Sequence, residues 1–341
     1  MSSPQDSRST QAHADHHWAL VLAAGEGSRL QALTTTASGV VVPKQFCSLG
    51  DGASLLHAAL ERARVVAPSE RICAVVAAHH ERYWQTLPCS IPARNIIVQP
   101  CNRGTANGIL LPLLQILQRD PEASLLVLPS DHHVRNETVL ARSLQRAMAH
   151  VASNKDCILL LGLEPESADA ELGYIVPLDG NGAGARPVSE FTEKPSADTA
   201  RLLIERGGLW NSFIFAAHGK TLLRAFESQC PQLVHDMRNV VTASSVAMAP
   251  SDALAALYER LPATDFSRDI VERCAAQLQV IQVPACGWSD LGTPRRVANV
   301  IDRAAAPPHQ ATSLLPHVQG FLDLVAQHMQ RSSAVSQESS S

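Results

Sequence analysis

Apolar runs of five to seven residues recur through the first half of the chain, each bounded by charged, glycine or proline positions. Five of them, at residues 18–24, 72–78, 95–99, 125–129 and 157–163, are nearly unbroken. That is the pattern of strands buried on both faces. Between them, residues 54–66, 105–117 and 137–151 repeat apolar side chains at helical spacing. Strand, loop and helix therefore alternate, which predicts an α/β protein with a mixed, mostly parallel sheet flanked by helices. After Gly173 the rhythm changes. Strands predicted at 174–178, 188–193 and 209–216 are separated by turns and one helix, and read as a second lobe on the same sheet.

The two ends differ from this body. Residues 1–15 and 332–341 are rich in Ser and Gln and carry too little apolar surface to pack. Pro307 and Pro308 precede an amphipathic pattern over residues 313–330, with Leu314, Val318, Phe321, Leu322 and Val325 on one side. Such a stripe serves core packing or a homodimer contact. The expected organisation is a disordered segment over 1–17, one domain over 18–303, and a helix with a disordered tail over 304–341.

Composition narrows the partners. The 28 Lys and Arg against 32 Asp and Glu leave a net charge of -4, without the basic excess that phosphate-backbone binding requires, so nucleic acid is not an expected partner. The eight cysteines form no CxxC pair, which argues against a zinc ribbon or a redox motif and for reduced thiols. No apolar run is long enough to span a bilayer and the first 17 residues lack a signal core. The expectation is a cytoplasmic protein with no membrane partner.

The first strand runs into Ala23-Ala24-Gly25-Glu26-Gly27-Ser28-Arg29-Leu30, and Pro43-Lys44-Gln45-Phe46 follows. Glycines there let the backbone turn sharply and bring its N–H groups to phosphate oxygens. Arg29 and Lys44 supply positive charge. By itself this loop reads first as a tight βα turn with a surface arginine. It matches neither a Walker A loop nor a full dinucleotide fingerprint, which needs glycine where Leu30 stands. Asp131 closes the strand at 125–129 and so sits at the carboxyl edge of the sheet, where open α/β folds bind ligands. An aspartate there caps a helix as readily as it binds a ligand, and Asp290, between Trp288 and Gly292, is open to the same two readings. Adjacent residues on an extended strand point to opposite faces, so His132 and His133 read as structural, as do His79 and His80. His13, His16 and His17 fall in the polar leader.

Taken together, the ordered motifs resemble the sugar-1-phosphate nucleotidyltransferases, and among them most the mannose-1-phosphate guanylyltransferases. The likeness rests on residues 22–30 with Pro43 to Phe46, then Gln99-Pro100-Cys101-Asn102-Arg103-Gly104-Thr105-Ala106, Pro129-Ser130-Asp131-His132, Gly173-Tyr174-Ile175, Phe191-Thr192-Glu193-Lys194-Pro195, Leu209-Trp210-Asn211-Ser212-Phe213 and Gly287-Trp288-Ser289-Asp290-Leu291-Gly292. It spans residues 18–297. Three features depart from the guanylyltransferase pattern: Ala24 in place of a further glycine, Gln31-Ala32 in place of an aromatic-proline pair, and the order Asn102-Arg103-Gly104-Thr105-Ala106. The stretch 31–42 is also long for its loop.

The resemblance implies the nucleotide-diphospho-sugar transferase fold, a Rossmann-like sheet, with residues 18–303 as the catalytic domain. It implies Mg2+ held by Asp131 and Asp290, and catalytic roles for Arg29, Lys44, Asp131, Lys194 and Asp290. Nucleotide contacts would come from Ala24, Gly25, Gly27, Ser28, Gln99, Asn102, Arg103, Gly104 and Thr105, and sugar contacts from Gly173, Glu193, Lys194 and Asn211. The reaction implied is transfer of a nucleotidyl group from an NTP, GTP first, to a sugar 1-phosphate, mannose 1-phosphate first, giving GDP-mannose and pyrophosphate. The alternatives are a glucose-1-phosphate uridylyl- or thymidylyltransferase, and a catalytically silent regulatory homologue. Retention of all five charged positions speaks against silence. Nothing in the sequence resembles an appended isomerase domain or β-helix repeats.

Overall fold

A computed structural model of the chain describes residues 16–36, 38–49, 53–85, 87, 90–178, 184–243 and 251–305. The polar leader through residue 15, the pattern at 313–330 and the tail at 332–341 lie outside the described residues. His16 and His17, expected in the leader, belong to the folded body. His17 opens the first strand, and His16 Nδ1 lies 2.8 Å from Asp120 Oδ1.

Each predicted strand is present within two residues of its expected ends. They are β1 (His17–Ala23), β2 (Ile72–Ala77), β3 (Ile96–Gln99), β4 (Ser124–Pro129), β5 (Ile158–Leu163), β6 (Tyr174–Pro177), β7 (Arg186–Thr192) and β8 (Leu209–His218). A ninth, β9 (Leu278–Val283), was not foreseen. All join one sheet in the order β3-β2-β1-β4-β8-β5-β9-β7-β6, with β8 also touching β6. The sheet is parallel through β3, β2, β1 and β4 and again between β5 and β9, while β8 runs antiparallel to both β4 and β5. The second lobe is the far end of this sheet, where β6 and β7 pair antiparallel and β7 reaches β9.

Alternate side chains of the central strands feed two cores, one on each face. On one face Leu20, Val75, Leu125, Val127 and Leu160 pack with helix α2 (Thr105–Arg119) and with α5 (Gly219–Gln229), α6 (Pro231–Ala243) and α7 (Asp252–Arg260). On the other, Val21, Ala74, Val76, Leu126 and Leu161 pack with α1 (Leu55–Arg64) and α3 (Glu137–Ser153). Ser54 and Asn136 cap α1 and α3 by accepting from His57 N and Val139 N. The one helix expected among the strands of the second lobe is α4 (Ala197–Glu205), and α5 to α7, with α8 (Pro294–Ala305), follow β8 unforeseen.

The stretch 31–42 folds back on itself. A one-turn helix at Gln31–Thr34 leads to an isolated bridge between Thr35 and Val41, and Tyr83 Oη donates to the Val41 carbonyl at 2.8 Å. Phe266 anchors the segment between α7 and β9. It is 1% exposed, stacks on Phe215 with centroids 4.8 Å apart, and meets Phe226 at 5.7 Å. Its amide donates to Thr105 Oγ1 at 2.8 Å, which ties this segment to the start of α2. Phe266→Ala is expected to lower unfolding free energy by about 3–5 kcal/mol, with Phe266→Leu well below that. Urea unfolding followed by far-ultraviolet circular dichroism measures it.

Candidate active site

The cleft lies beyond the carboxyl ends of β1, β3 and β4, where parallel strands hand over to loops. A cavity of about 270 Å³ there is lined by Ala24, Gly25 and Gly27 after β1, by Gln99, Asn102, Gly104 and Thr105 after β3, by Asp131 after β4, and by Phe213 of β8. Most of the predicted nucleotide set is thus brought together. Ser28 and Arg29 stand outside this lining, in the short turn Ser28–Leu30.

Two features shape the glycine loop. Gly27 has a φ of 62°, and a Cβ on it would stand 3.1 Å from Lys44 N, so conformation and space both call for glycine. Buried Gln45 donates from Nε2 to the carbonyls of Ala23 at 3.0 Å and Gly25 at 2.9 Å, fixing the loop from beneath. Sequence reasoning assigned Gln45 no role. Its place beside Lys44 in the second motif was the available signal.

Lys44 is a buried cation. Its Nζ lies 2.7 Å from Asp131 Oδ2 and donates to the carbonyl of Asp290 at 2.6 Å. One ammonium therefore joins the two loops that carry the predicted metal aspartates. The loops are also joined by an antiparallel bridge between His133 and Ser289, with N–H to O distances of 2.8 and 2.9 Å. Burial alone would raise the Asp131 carboxyl, but the charge and hydrogen bond of Lys44 outweigh it and hold the carboxyl below its ordinary range. His132 is pushed down to about 4, chiefly by burial, and accepts a hydrogen bond on Nδ1 from Trp288 Nε1 at 3.2 Å. Its structural reading fits this neutral, buried ring.

The carboxylate of Asp290 has a different partner. Arg296 Nη1 lies 2.7 Å from both Asp290 oxygens, and Arg296 Nη2 bonds Asp169. Burial lowers the guanidinium's affinity for its proton, and the two carboxylates more than restore it. Asp169 is in turn held by Tyr174, whose hydroxyl accepts from Asp169 N at 2.8 Å and from Trp210 Nε1 at 3.1 Å. The two aspartates are neighbours through their loops, yet their carboxylates are spent on different cations. Arg29 likewise pairs with Glu171 Oε2 at 2.7 Å and lies outside the cavity lining. Neither Arg296 nor Glu171 was foreseen: Glu171 meets Arg29 from far away in sequence, and Arg296, six residues from Asp290, joins it to the distant Asp169.

The loop after β3 corrects one expectation. Arg103, predicted to contact the nucleotide, points away from the cavity: its Nε donates to the Tyr258 carbonyl at 2.7 Å and its Nη2 to that of Glu259 at 3.3 Å, at the end of α7. A helix end leaves carbonyls without partners, and a guanidinium satisfies them well. Gln99 is buried, faces the cavity, and accepts from Tyr258 Oη at 3.4 Å. Asn102 Oδ1 accepts from Gly104 N at 2.9 Å. The N-cap of α2 is Gly104, and Thr105 is its first residue.

The residues expected to contact a sugar also converge. A Cβ on Gly173 would come within 2.6 Å of Glu193 Oε2 and 3.3 Å of Asn211 Cβ, so only glycine allows these side chains to close over the backbone. Asn211 N donates to Gly173 O at 2.8 Å, and Asn211 Oδ1 accepts from Phe213 N at 3.0 Å. Glu193 is raised to about 6, first by burial and then by the charge of Asp265, with Lys194 and a hydrogen bond from Ser267 opposing. Lys194 is half-exposed, its Nζ 3.9 Å from Glu193 Oε1. Asp265 and Ser267 were absent from the expected set.

Backbone conformation marks the same place. Among the described residues the non-glycine positions of positive φ are Lys194, Phe213 and Leu291, at 48°, 57° and 49°. They fall in the motifs at residues 191–195, 209–213 and 287–292, and Phe213 lines the cavity. Bulky side chains in this region cost free energy and persist where surroundings over-determine them, commonly at functional sites.

A family model described as nucleotidyl transferase matches residues 18–305. Among curated relatives, mannose-1-phosphate guanylyltransferase 2 of Escherichia coli O157:H7 is 29% identical over 288 residues, covering 81% of this chain and 58% of that protein. The mannose-1-phosphate guanylyltransferase of Salmonella muenchen is 28% identical over 291 residues, covering 80% and 57%. The chain thus spans less than two thirds of the length of these curated relatives. Among solved structures, that of a mannose-1-phosphate geranyltransferase, so named, from Thermus thermophilus has a TM-score of 0.72 at 28% identity, covering 86% of this chain and 81% of that one. UTP-bound UGPase from Acinetobacter baumannii, 13% identical with a TM-score of 0.54 over 91% of this chain and 98% of that one, shares the fold alone. With the family model matching most of its length, the chain belongs to the nucleotidyl transferase family.

Proposed function

We propose that the chain is a mannose-1-phosphate guanylyltransferase, which moves GMP from GTP to mannose 1-phosphate and releases pyrophosphate. The observation that carries this reading is the meeting of two residue sets on β8. Asn211 belongs to the cluster with Gly173 and Glu193, and Phe213, two residues on, lines the cavity of the glycine loop. A sugar phosphate and a nucleotide bound in these places have their reacting groups at one strand. The likeness to two mannose-1-phosphate guanylyltransferases over about four fifths of the chain favours guanine and mannose.

In this chemistry a phosphate oxygen of the sugar phosphate forms the new bond to the α-phosphorus, and the bond from that phosphorus to the bridging β-oxygen breaks. No enzyme nucleophile is needed, and the chain's contribution is placement and charge. The loop N–H groups between Ala24 and Ser28 face the phosphates. Lys44 holds Asp131 in place at the cavity wall, and Arg29 reaches the leaving phosphates by exchanging Glu171 for them. Lys194 meets the sugar phosphate, while Glu193 and Asn211 accept from and donate to sugar hydroxyls. Gln99 offers the buried amide for the base edge, with Asn102 and Thr105 beside it.

Mg2+ is proposed as cofactor. Asp131 fits a hard divalent ion: it is an ionised carboxylate, only partly covered, at the cavity wall. Asp290 supplies the second carboxylate once Arg296 yields it. When bound, Mg2+ supplies neutralisation of the phosphate charges.

Pyrophosphate release over a grid of NTPs and sugar 1-phosphates tests the reading. GTP with mannose 1-phosphate is expected to be fastest, and faster turnover with UTP or dTTP and glucose 1-phosphate would replace it by the uridylyl- or thymidylyltransferase reading. Asp131→Asn and Asp290→Asn should each lower turnover at least about a hundredfold, the scale of removing one preorganised charge contact, with chelation of Mg2+ doing the same to the unaltered protein. Near-normal turnover in either variant excludes that aspartate.

Glu193 adds a pH dependence. Its carboxyl binds a proton more tightly in the folded protein than the ordinary 4.5, so its contribution to stability falls as pH rises from about 4.5 to about 6 and is level above. Glu193→Gln is free of this loss, and its stability relative to the unaltered protein should rise by about 2 kcal/mol between pH 4 and pH 7. The same variant should raise the KM for mannose 1-phosphate more than that for GTP. Thermal or urea unfolding at the two pH values reads the first effect and initial rates the second.

A further inference from the structure

Beside the phosphate loop lies a cluster that the proposed transfer does not use. Glu26 stands between Gly25 and Gly27. The chain leaving β2 winds into a short 3-10 turn at Ala78–His80 rather than staying extended, and this overturns the expectation that His79 and His80 point to opposite faces. Their rings lie 4.0 Å apart, tilted by 56°. His79 Nε2 is 3.1 Å from both carboxylate oxygens of Glu26, and His80 Nε2 is 3.6 Å from Oε2. One ligand atom from each of the three residues lies within 4.8 Å of the other two.

His80 gives the cluster a buried member. It is 5% exposed, Phe46 stands edge-on to its ring at 6.0 Å, and its Nδ1 meets no hydrogen-bonding partner. The other ring nitrogen, Nε2, is the one turned toward Glu26, with the His79 ring beside it, so a buried nitrogen, a second imidazole and a carboxylate face one another.

We propose that Glu26, His79 and His80 form a binding site for a first-row transition-metal ion of the Zn2+ type, which ties the glycine loop after β1 to the turn after β2. Two imidazoles and a carboxylate are the donor set such ions take. Bonds of about 2.0–2.2 Å in a tetrahedral arrangement put ligand atoms about 3.4 Å apart, and the two contacts already present, 3.1 and 3.6 Å, bracket that separation. Strands β1 and β2 are hydrogen-bonded neighbours in parallel register, Ala23 opposite Val76, so both loops start from a rigid base. Three protein ligands leave a fourth position for water or for an anionic oxygen. The site is distinct from Asp131 and Asp290 in donor type, and it stands or falls independently of the transfer reaction.

The test uses the full chain, freed of metal by chelator and dialysis. Zn2+ is titrated calorimetrically and Co2+ by visible absorption. One equivalent should bind, with the d–d absorption of a nitrogen and oxygen site and no thiolate charge-transfer band, which separates it from capture by cysteines. Glu26→Gln and His79→Ala, both at exposed positions that leave folding intact, should each weaken this equivalent at least tenfold. Mg2+ in excess should not displace it. Failure of the unaltered chain to bind Co2+, or binding of unchanged affinity and spectrum in both variants, overturns the proposal.

Discussion

The ammonium of Lys44 is the constraint on which the cleft depends. A buried cation must find compensating charge and hydrogen-bond acceptors. Lys44 finds Asp131 on the loop after β4 and the Asp290 carbonyl on the loop before α8. Those loops are more than 150 residues apart in sequence, and neither is held in place by a strand at that point. The glycine loop answers to the same residue, because the left-handed turn at Gly27 packs directly on the Lys44 backbone. Removing the charge would leave Asp131 half-buried with no cation in contact, a change that reaches stability and site geometry together.

From that tie a chain of contacts runs into the second lobe. Asp290 meets Arg296, Arg296 meets Asp169, and Asp169 is fixed by Tyr174 at the start of β6. Strand β8 runs in parallel with this connection. Its last four residues pair with β4 and most of its length with β5, while its first residues pair with β6 and carry Asn211 toward Gly173. The glycine-loop cavity and the Gly173–Asn211 cluster are thus joined twice, once by backbone ladder and once by ion pairs. The strained residues Phe213 and Leu291 lie one on each route.

The parts of this arrangement that were legible in sequence are those whose signal is local. Strands β1 to β5 announce themselves as unbroken apolar runs because both faces are covered, and Asp131 follows from the place where one of them ends. Strand β9 was missed because Gln279 and Gln282 interrupt its apolar run, although both its neighbours in the sheet were foreseen. Helices α5 to α7 keep helical spacing, with Leu222 and Phe226, then Val234, Met237 and Val241 buried, but α5 and α6 are divided by Cys230 alone, so no turn signal marks where one period ends and the next begins. Arg103 misled for an opposite reason: it sits inside a motif, yet the C-terminal carbonyls of α7, brought beside it only by the fold, claim its guanidinium. Asp265 and Glu171 have no local signal at all, since each acts on a partner that tertiary structure delivers, and Arg296, though six residues from Asp290, gains its second carboxylate, Asp169, only through the fold.

Under the proposed chemistry, the clamp on Asp290 gives charge neutralisation an order. Both Asp290 oxygens accept from Arg296, so a cation and the guanidinium compete for the same lone pairs. A divalent ion with phosphates beside it offers Asp290 the stronger field, and Arg296 would then keep Asp169 as its remaining carboxylate. The competition is reciprocal by linkage: whatever loosens Arg296 from Asp290 favours the cation, and the cation favours release of Arg296 by the same factor. Because Asp169 borders the sugar strand through Tyr174, a change at the cation is felt where the second substrate binds. The ion pair that completes the fold in the absence of substrates is thereby the contact that must rearrange for them.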